Sequence, residues 1–325
     1  METFLNNLEK CTLDEFNFKN GRMLEDVEVE YITGGTPEYD DEGYITNVMV
    51  YCPGINGNYT SIKKLSRLIG PDEPFDSNKY FFICPTALGT PNSCSPSTTE
   101  LYDKFPEFCV EDIVNFYRKL LKEKFKIKKL KGIMGNSIGG YVTLTWAALY
   151  PDEMEFIIPT ATSFKTGGHH YIVSKFIDEI IETDPSYEDR HDMNSLFRSL
   201  RLVIQIGHIY GLSKKFLRDK SNYELDIYME NFGDEGLFKD IYDIKYNNKA
   251  LLNFDIEDKL SNIKADTLVV AVVEDEYFDV ELDAKPLAEK IENSKLVLYE
   301  STLGHVGTSE LYKIKDDFKE FLDKH

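Results

Sequence analysis

The stretch Gly132–Gly140, reading Gly-Ile-Met-Gly-Asn-Ser-Ile-Gly-Gly, constrains the fold more than any other part of the chain. An apolar run that reads as a buried strand turns sharply at Gly135-Asn136-Ser137-Ile138-Gly139 into a helix that continues through Tyr141–Tyr150. Glycines two residues to either side of Ser137 allow close backbone approach, and the turn forces the serine into a strained geometry. Its hydroxyl then stands clear of the sheet, beside the N-terminus of the helix. A serine so placed is a candidate nucleophile. Chance alone supplies a Gly-x-Ser-x-Gly in roughly one chain in ten of this size, so a plain Gly-rich turn is the competing reading and the surroundings must decide.

A chain of 325 residues, 42% of them hydrophobic, can bury a large core, either as one α/β domain or as a core with an insertion. The formal net charge of −20 argues against nucleic acid or an anionic membrane as partner. The five cysteines (Cys11, Cys52, Cys84, Cys94, Cys109) lack metal-ligand spacing, and Cys52 and Cys84 close apolar strand-like runs as buried thiols. Met1–Lys10 has neither a basic nor an apolar leader region, and no apolar run approaches the length of a membrane span. The expectation is a soluble cytoplasmic protein.

The first two-fifths reads as strands and turns. Val27–Thr33 alternates, whereas Asn47–Cys52 and Tyr80–Cys84 are continuously apolar, as expected of strands covered on both faces. A helical pattern over Cys109–Leu121 precedes the serine turn, and strand patterns recur at Met154–Thr160, Thr267–Val273 and Leu296–Tyr299, the last two separated by a helix-like segment from Leu282 to Ile291. Strands alternating with helices predict a mostly parallel, doubly wound sheet. Residues 163–255 show helical patterns only, at Ile172–Thr183, Leu196–Tyr210 and the aromatic-rich Tyr223–Leu252. This predicts a core of residues 1–162 and 256–325 with a helical insertion at 163–255, either a lid over a site or a passive extension or dimer surface. The basic run Arg118–Lys131 falls at the N-terminal edge of the sheet. Ligands of such sheets bind at the carboxyl ends of strands, so the run reads as solvated surface rather than a phosphate site.

Serine chemistry needs a base, and the base needs an orienting acid. Carboxylates Glu274, Asp275 and Glu276 follow the strand at 267–273, and His305 follows the strand at 296–299. Asp275 is the chosen acid, with Glu274 and Glu276 as substitutes should the register shift by one. Of the six histidines, His305 alone follows the last strand; His169, His170, His191 and His208 fall in the helical insertion and His325 is terminal. The His169-His170 pair has no companion ligands at metal-binding spacing and reads as surface or lid polarity. Backbone donors for an oxyanion are expected from Ile138, directly after the nucleophile, and from the loop Cys52–Gly57, where Ile55 is the chosen donor.

Together these residues resemble the homoserine O-acetyltransferase-like branch of the α/β-hydrolases. The resemblance runs through Tyr31–Gly35, Tyr80–Gly89, Ser95–Thr98, Gly135–Gly140, Trp146–Pro151, Thr183–Pro185, Asp275–Phe278 and Gly304-His305. It implies an α/β-hydrolase fold, with a mostly parallel central sheet flanked by helices and an inserted helical lid. It further implies a Ser-His-Asp triad on Ser137, His305 and Asp275, ping-pong chemistry through an acyl-serine, no cofactor or metal, and often a homodimer. Its partners would be a small acyl donor (an ester or acyl-CoA) and an alcohol or water. Two departures bear on the acceptor. Val306 stands where the family has an aspartate for the substrate ammonium, and Asp178 where it has an arginine for the carboxylate. The expected function is therefore acyl transfer from an ester or thioester to an acceptor other than homoserine. The alternatives are an ester or thioester hydrolase of the same fold, or a binding module that has lost catalysis.

Overall fold

The computed structural model describes residues 7–325; Met1–Asn6, part of the segment read as lacking a leader, lie outside the described residues. Eight strands form one sheet: β1 (Leu8–Asn17), β2 (Met23–Gly35), β3 (Val48–Cys52), β4 (Phe81–Pro85), β5 (Leu130–Asn136), β6 (Met154–Thr160), β7 (Asp266–Val272) and β8 (Ser294–Tyr299), in the order β1-β2-β4-β3-β5-β6-β7-β8. β2 runs antiparallel to both its neighbours, and every pair from β4 to β8 is parallel.

The apolar runs of β3, β5 and β7 are continuous because each face of the sheet meets its own layer. Val50, Ile133, Val269 and Ala271 enter one core, together with α1 (Val110–Lys124) and α2 (Ile138–Leu149). Met49, Met134, Leu268 and Val270 enter the other, with the short helical turn Tyr59–Leu65 and the C-terminal Phe318, Phe321 and Leu322. Successive residues of a strand point to opposite faces, so a strand buried on both sides is apolar throughout. α1 starts at Cys109, where the Asp112 carboxylate accepts the Cys109 N–H at 2.9 Å.

β1 was not foreseen. Its sequence alternates Cys11, Leu13 and Phe16, buried, with Lys, Asp and Glu, exposed. That acidic outer row suits an edge strand, where charge discourages pairing with another chain.

Between β6 and β7 the chain forms five α-helices: α3 (Gly168–Glu182), α4 (Met193–Gly211), α5 (Lys214–Arg218), α6 (Asn222–Glu235) and α7 (Ile241–Leu252). They have a small core of their own, in which Ile181, Leu196, Leu200, Val203, Tyr242 and Ile244 pack together. Buried polar bonds hold this block to the sheet end where β3 and β5 terminate. Asn247 Nδ2 donates to Gly89 O at 2.6 Å, and the Asp243 carboxylate accepts the Ser97 N–H at 2.8 Å. Burial pushes the Asp243 carboxyl up to about 6, against the pull of its Ser97 bonds. Among the described residues no helix is long and apolar enough to cross a membrane.

The basic run lies where expected, around the start of β5. Arg118 pairs with Glu153, Lys131 with Glu155 at 2.7 Å, and Lys128 with Glu42 at 2.9 Å. A cleft of ≈ 810 Å³ lies there, at the opposite end of β5 from Ser137.

Gly132 on β5 has no room for a side chain: an added Cβ would stand 2.2 Å from the Phe156 ring on β6. Gly132→Ala should therefore destabilise the fold by about 1–3 kcal/mol through overpacking. The loss should shrink in a Phe156→Leu background, and urea denaturation of the four proteins of this cycle measures both effects.

Candidate active site

Ser137 sits between β5 and α2 with φ 56° and ψ −120°, a left-handed backbone that a non-glycine residue adopts only when its surroundings hold it there. They do. The Ser137 N–H donates to Thr160 O at 2.9 Å, and the Thr162 hydroxyl donates to Ser137 O at 2.8 Å. On the other side the turn is pressed onto the end of β3, since a Cβ on Gly139 would stand 2.0 Å from Cys52 O. The glycine spacing in the motif is thus a packing requirement between three chain segments.

Asp275 follows β7, and its side chain is fully shielded from solvent. One carboxylate oxygen accepts the N–H groups of Tyr277 (2.8 Å) and Phe278 (3.1 Å), and the other lies 2.7 Å from His305 Nδ1. A carboxylate only accepts, so Nδ1 carries the proton in this bond, and the His305 ring lines the cavity. The neighbouring acids are engaged elsewhere: Glu274 accepts the Ser301 N–H at 2.7 Å, and Glu276 pairs with Lys214 at 2.9 Å. The substitute role considered for those two is not the one they occupy; Asp275 alone meets the histidine.

His305 follows β8 at the start of the short helix Gly304–Ile314, where Gly304 has φ +63° and a Cβ would lie 2.7 Å from Ser213 N. Behind it, the Thr308 hydroxyl donates to His305 O at 3.3 Å and receives Lys64 Nζ at 2.6 Å. Burial lowers the Lys64 ammonium to about 8.

Ser137, Ile138, Ile55 and His305 line one cavity of ≈ 330 Å³. Ile55 belongs to the turn after β3, which lies against the serine: a Cβ on Gly54 would be 3.8 Å from Ser137 Cβ. Neither Ile55 nor Ile138 donates its N–H to a protein acceptor among the described residues. For Ile138 this follows from its place at the first position of α2, whose opening amides have no partner within the helix. Much of the remaining wall is apolar and comes from the helical block, with Val173, Ile177, Val203, Ile204 and Ile244.

The two departures from the family pattern fall differently. Val306 is on the cavity wall. Asp178 is buried within the helical block, where it meets Lys245 Nζ at 3.1 Å and Asn248 Nδ2 at 2.7 Å.

Of the two expectations for His170, surface or lid polarity, the structure overturns the surface one: the residue is buried within the helical block. It is 8% exposed, lines the cavity, and has Nδ1 3.1 Å from the Tyr141 hydroxyl. His169 turns elsewhere, with Nδ1 3.0 Å from Glu276 O. Burial first, and the nearby His305 second, push His170 down from 6.5 to about 4. Nothing in the sequence separates it from its neighbour except its place one residue further into α3. The unfolded chain binds a proton to this histidine near pH 6.5 and the folded chain only near pH 4. Its contribution to stability therefore falls as pH drops through that window. NMR of the imidazole should show His170 neutral and not titrating above about pH 5, a behaviour set by burial.

The α/β-hydrolase fold family matches residues 47–306. A protein named "Probable acyltransferase" from Methanothermobacter thermautotrophicus is 38% identical over 310 residues, 95% of this chain and 96% of that one. An acetylester hydrolase from Corynebacterium glutamicum superposes with TM-score 0.85 at 23% identity, covering 97% of this chain and 96% of the other. A homoserine O-acetyltransferase from Bacillus anthracis does so with TM-score 0.81 at 24% identity, covering 97% of each chain. At these identities the two structures speak to the fold alone. The family match and the extent of the first relative carry the assignment, and they agree with the sheet order, the left-handed serine and the acid–histidine pair: this chain belongs to the α/β-hydrolase fold family.

Proposed function

We propose that the protein takes an acyl group from an ester or thioester onto Ser137 and passes it to an alcohol or to water. The observation that carries this reading is the bonded Asp275–His305 pair opening on the same cavity as the left-handed Ser137. In this reading His305 Nε2 removes the Ser137 proton as Oγ attacks the carbonyl. Asp275 holds the imidazole tautomer and stabilises the imidazolium that forms. The Ile55 and Ile138 N–H groups stabilise the tetrahedral oxyanion. Collapse expels the alcohol or thiol, which leaves with the proton from His305. The incoming hydroxyl then repeats the steps in reverse, with His305 as base. In the same reading the helical block, residues 163–255, is a lid that keeps bulk water from the acyl-serine.

Hydrolysis is the second reading, and a specific observation favours it. A zwitterionic amino acid needs a partner for each charge it buries. Val306 offers none, and Asp178 is taken up by Lys245 and Asn248. At these two positions the structure supports an acceptor other than homoserine, or water. Relatives and neighbours bear both kinds of name, acyltransferase and ester hydrolase. Pairing of two copies through the helical block belongs to the same proposal. It is supported by Ile172, Phe176 and Leu202, which are 49%, 49% and 53% exposed.

A fluorophosphonate probe should label the protein at Ser137 and leave Ser137→Ala unlabelled; a folded wild type that does not react would instead indicate a binding module. Asp275→Asn should keep the fold and lower kcat by ~10⁴, the scale of losing the correct tautomer. Incubation with acetyl-CoA, with and without homoserine, should give no O-acetylhomoserine by mass spectrometry. Its appearance would defeat the reading of Val306 and Asp178.

A further inference from the structure

One wall of the site cavity carries polar atoms that the acyl chemistry does not use. His170 and Ser174 are four residues apart near the start of α3, hence on one helix face, and both line the cavity. The His170 Nδ1 meets Tyr141, leaving Nε2 without a partner among the described residues. The Ser174 hydroxyl also has none; only its backbone carbonyl is engaged, by Asn248 Nδ2 at 2.8 Å. Neither Nε2 nor Oγ is among the side-chain atoms sealed from solvent without a partner, and both residues line the cavity, although they are only 8% and 2% exposed.

Position tells which half of a substrate they would meet. The His170 ring lies 5.3 Å from that of Phe278 and 5.8 Å from that of Tyr277. The His305 ring lies 5.5 Å and 5.4 Å from the same two. The two imidazoles therefore share one aromatic floor. The alcohol oxygen departs and arrives at His305, so groups beside His305 face the alcohol half whichever way the reaction runs. The apolar stretch of the wall remains for the acyl chain.

Charge narrows the class. His170 stays neutral under burial, and Ser174 has no charge to give. The charged side chains on the cavity wall lie on another segment: Glu235, which is 3.4 Å from His208, and Lys239. Two neutral polar atoms on a buried face suit hydroxyl groups and leave an ammonium or carboxylate uncompensated.

We propose that His170 and Ser174 form a hydroxyl-binding subsite for the alcohol half, so that the preferred substrates are esters of uncharged, hydroxyl-bearing alcohols. This rests on the acyl-Ser137 reading above. The two residues are specificity determinants; the proton transfers stay with His305.

The test compares kcat/KM for 2-hydroxyethyl acetate and propyl acetate, esters of nearly equal size that differ in one hydroxyl. Their ratio does not depend on the fraction of enzyme that is folded. The wild type should prefer the hydroxylated ester about tenfold, the scale of a neutral hydrogen bond. His170→Phe and Ser174→Ala should each bring the ratio severalfold towards one, and His170→Gln should restore part of it. A wild-type ratio near one, or a ratio that neither His170→Phe nor Ser174→Ala alters, overturns the subsite while leaving Ser137 chemistry intact. No turnover of either ester, with Ser137 unreactive to fluorophosphonate, overturns the parent reading and the subsite with it.

Discussion

The rest of the site depends on one backbone conformation, the left-handed Ser137 between β5 and α2. A strained residue of this kind costs about 1–3 kcal/mol and persists only when its surroundings over-determine it. Three contacts do so here. The end of β3 presses on Gly139, β6 receives the Ser137 N–H through Thr160 O, and Thr162 caps the Ser137 carbonyl. The same contacts fix the start of α2, where the Ile138 amide has no partner, and bring the turn after β3 alongside. The proposed nucleophile and both proposed oxyanion donors are thus set by one packing event at the centre of the sheet.

Electrostatics are sorted along the molecule. Within Arg118–Lys131, the cations Arg118, Lys128 and Lys131 are met by Glu153, Glu42 and Glu155 at the N-terminal end of β5, far from Ser137. In the helical block, Lys245 meets Asp178 and Glu182. What remains around the cavity is apolar or neutral on the α3 side, with Glu235 and Lys239 on another segment of the wall. A buried neutral imidazole beside His305 also avoids repelling the imidazolium that acyl transfer would generate there.

Much of this was legible in the sequence because it rests on local rules. Continuous apolar runs marked β3 and β4, since a strand covered on both faces has no polar side, and strand patterns marked β5, β6, β7 and β8. The serine turn was readable from its glycines, and the acid and histidine from their places after successive late strands. β1 escaped because its buried residues, Cys11, Leu13 and Phe16, are diluted by an acidic outer row. His170 escaped for a different reason: helical periodicity says that α3 exists, but which of two adjacent histidines turns inward is decided by how the helix docks, a tertiary fact. Asp178 shows the same limit. It stands where the resemblance places an arginine for a substrate carboxylate, and only the packing shows that it meets Lys245 and Asn248.

The loop that carries Asp275 does more than hold an acid. Tyr277, two residues on, donates its hydroxyl to Gly207 O of α4 at 2.7 Å, and Glu276 O is 3.0 Å from His169 at the start of α3. The helices over the cavity and the loop behind His305 therefore share hydrogen bonds, each worth about 0.5–1.5 kcal/mol. In the proposed reading of these helices as a lid, opening it would pull on the same short segment that holds Asp275 against His305.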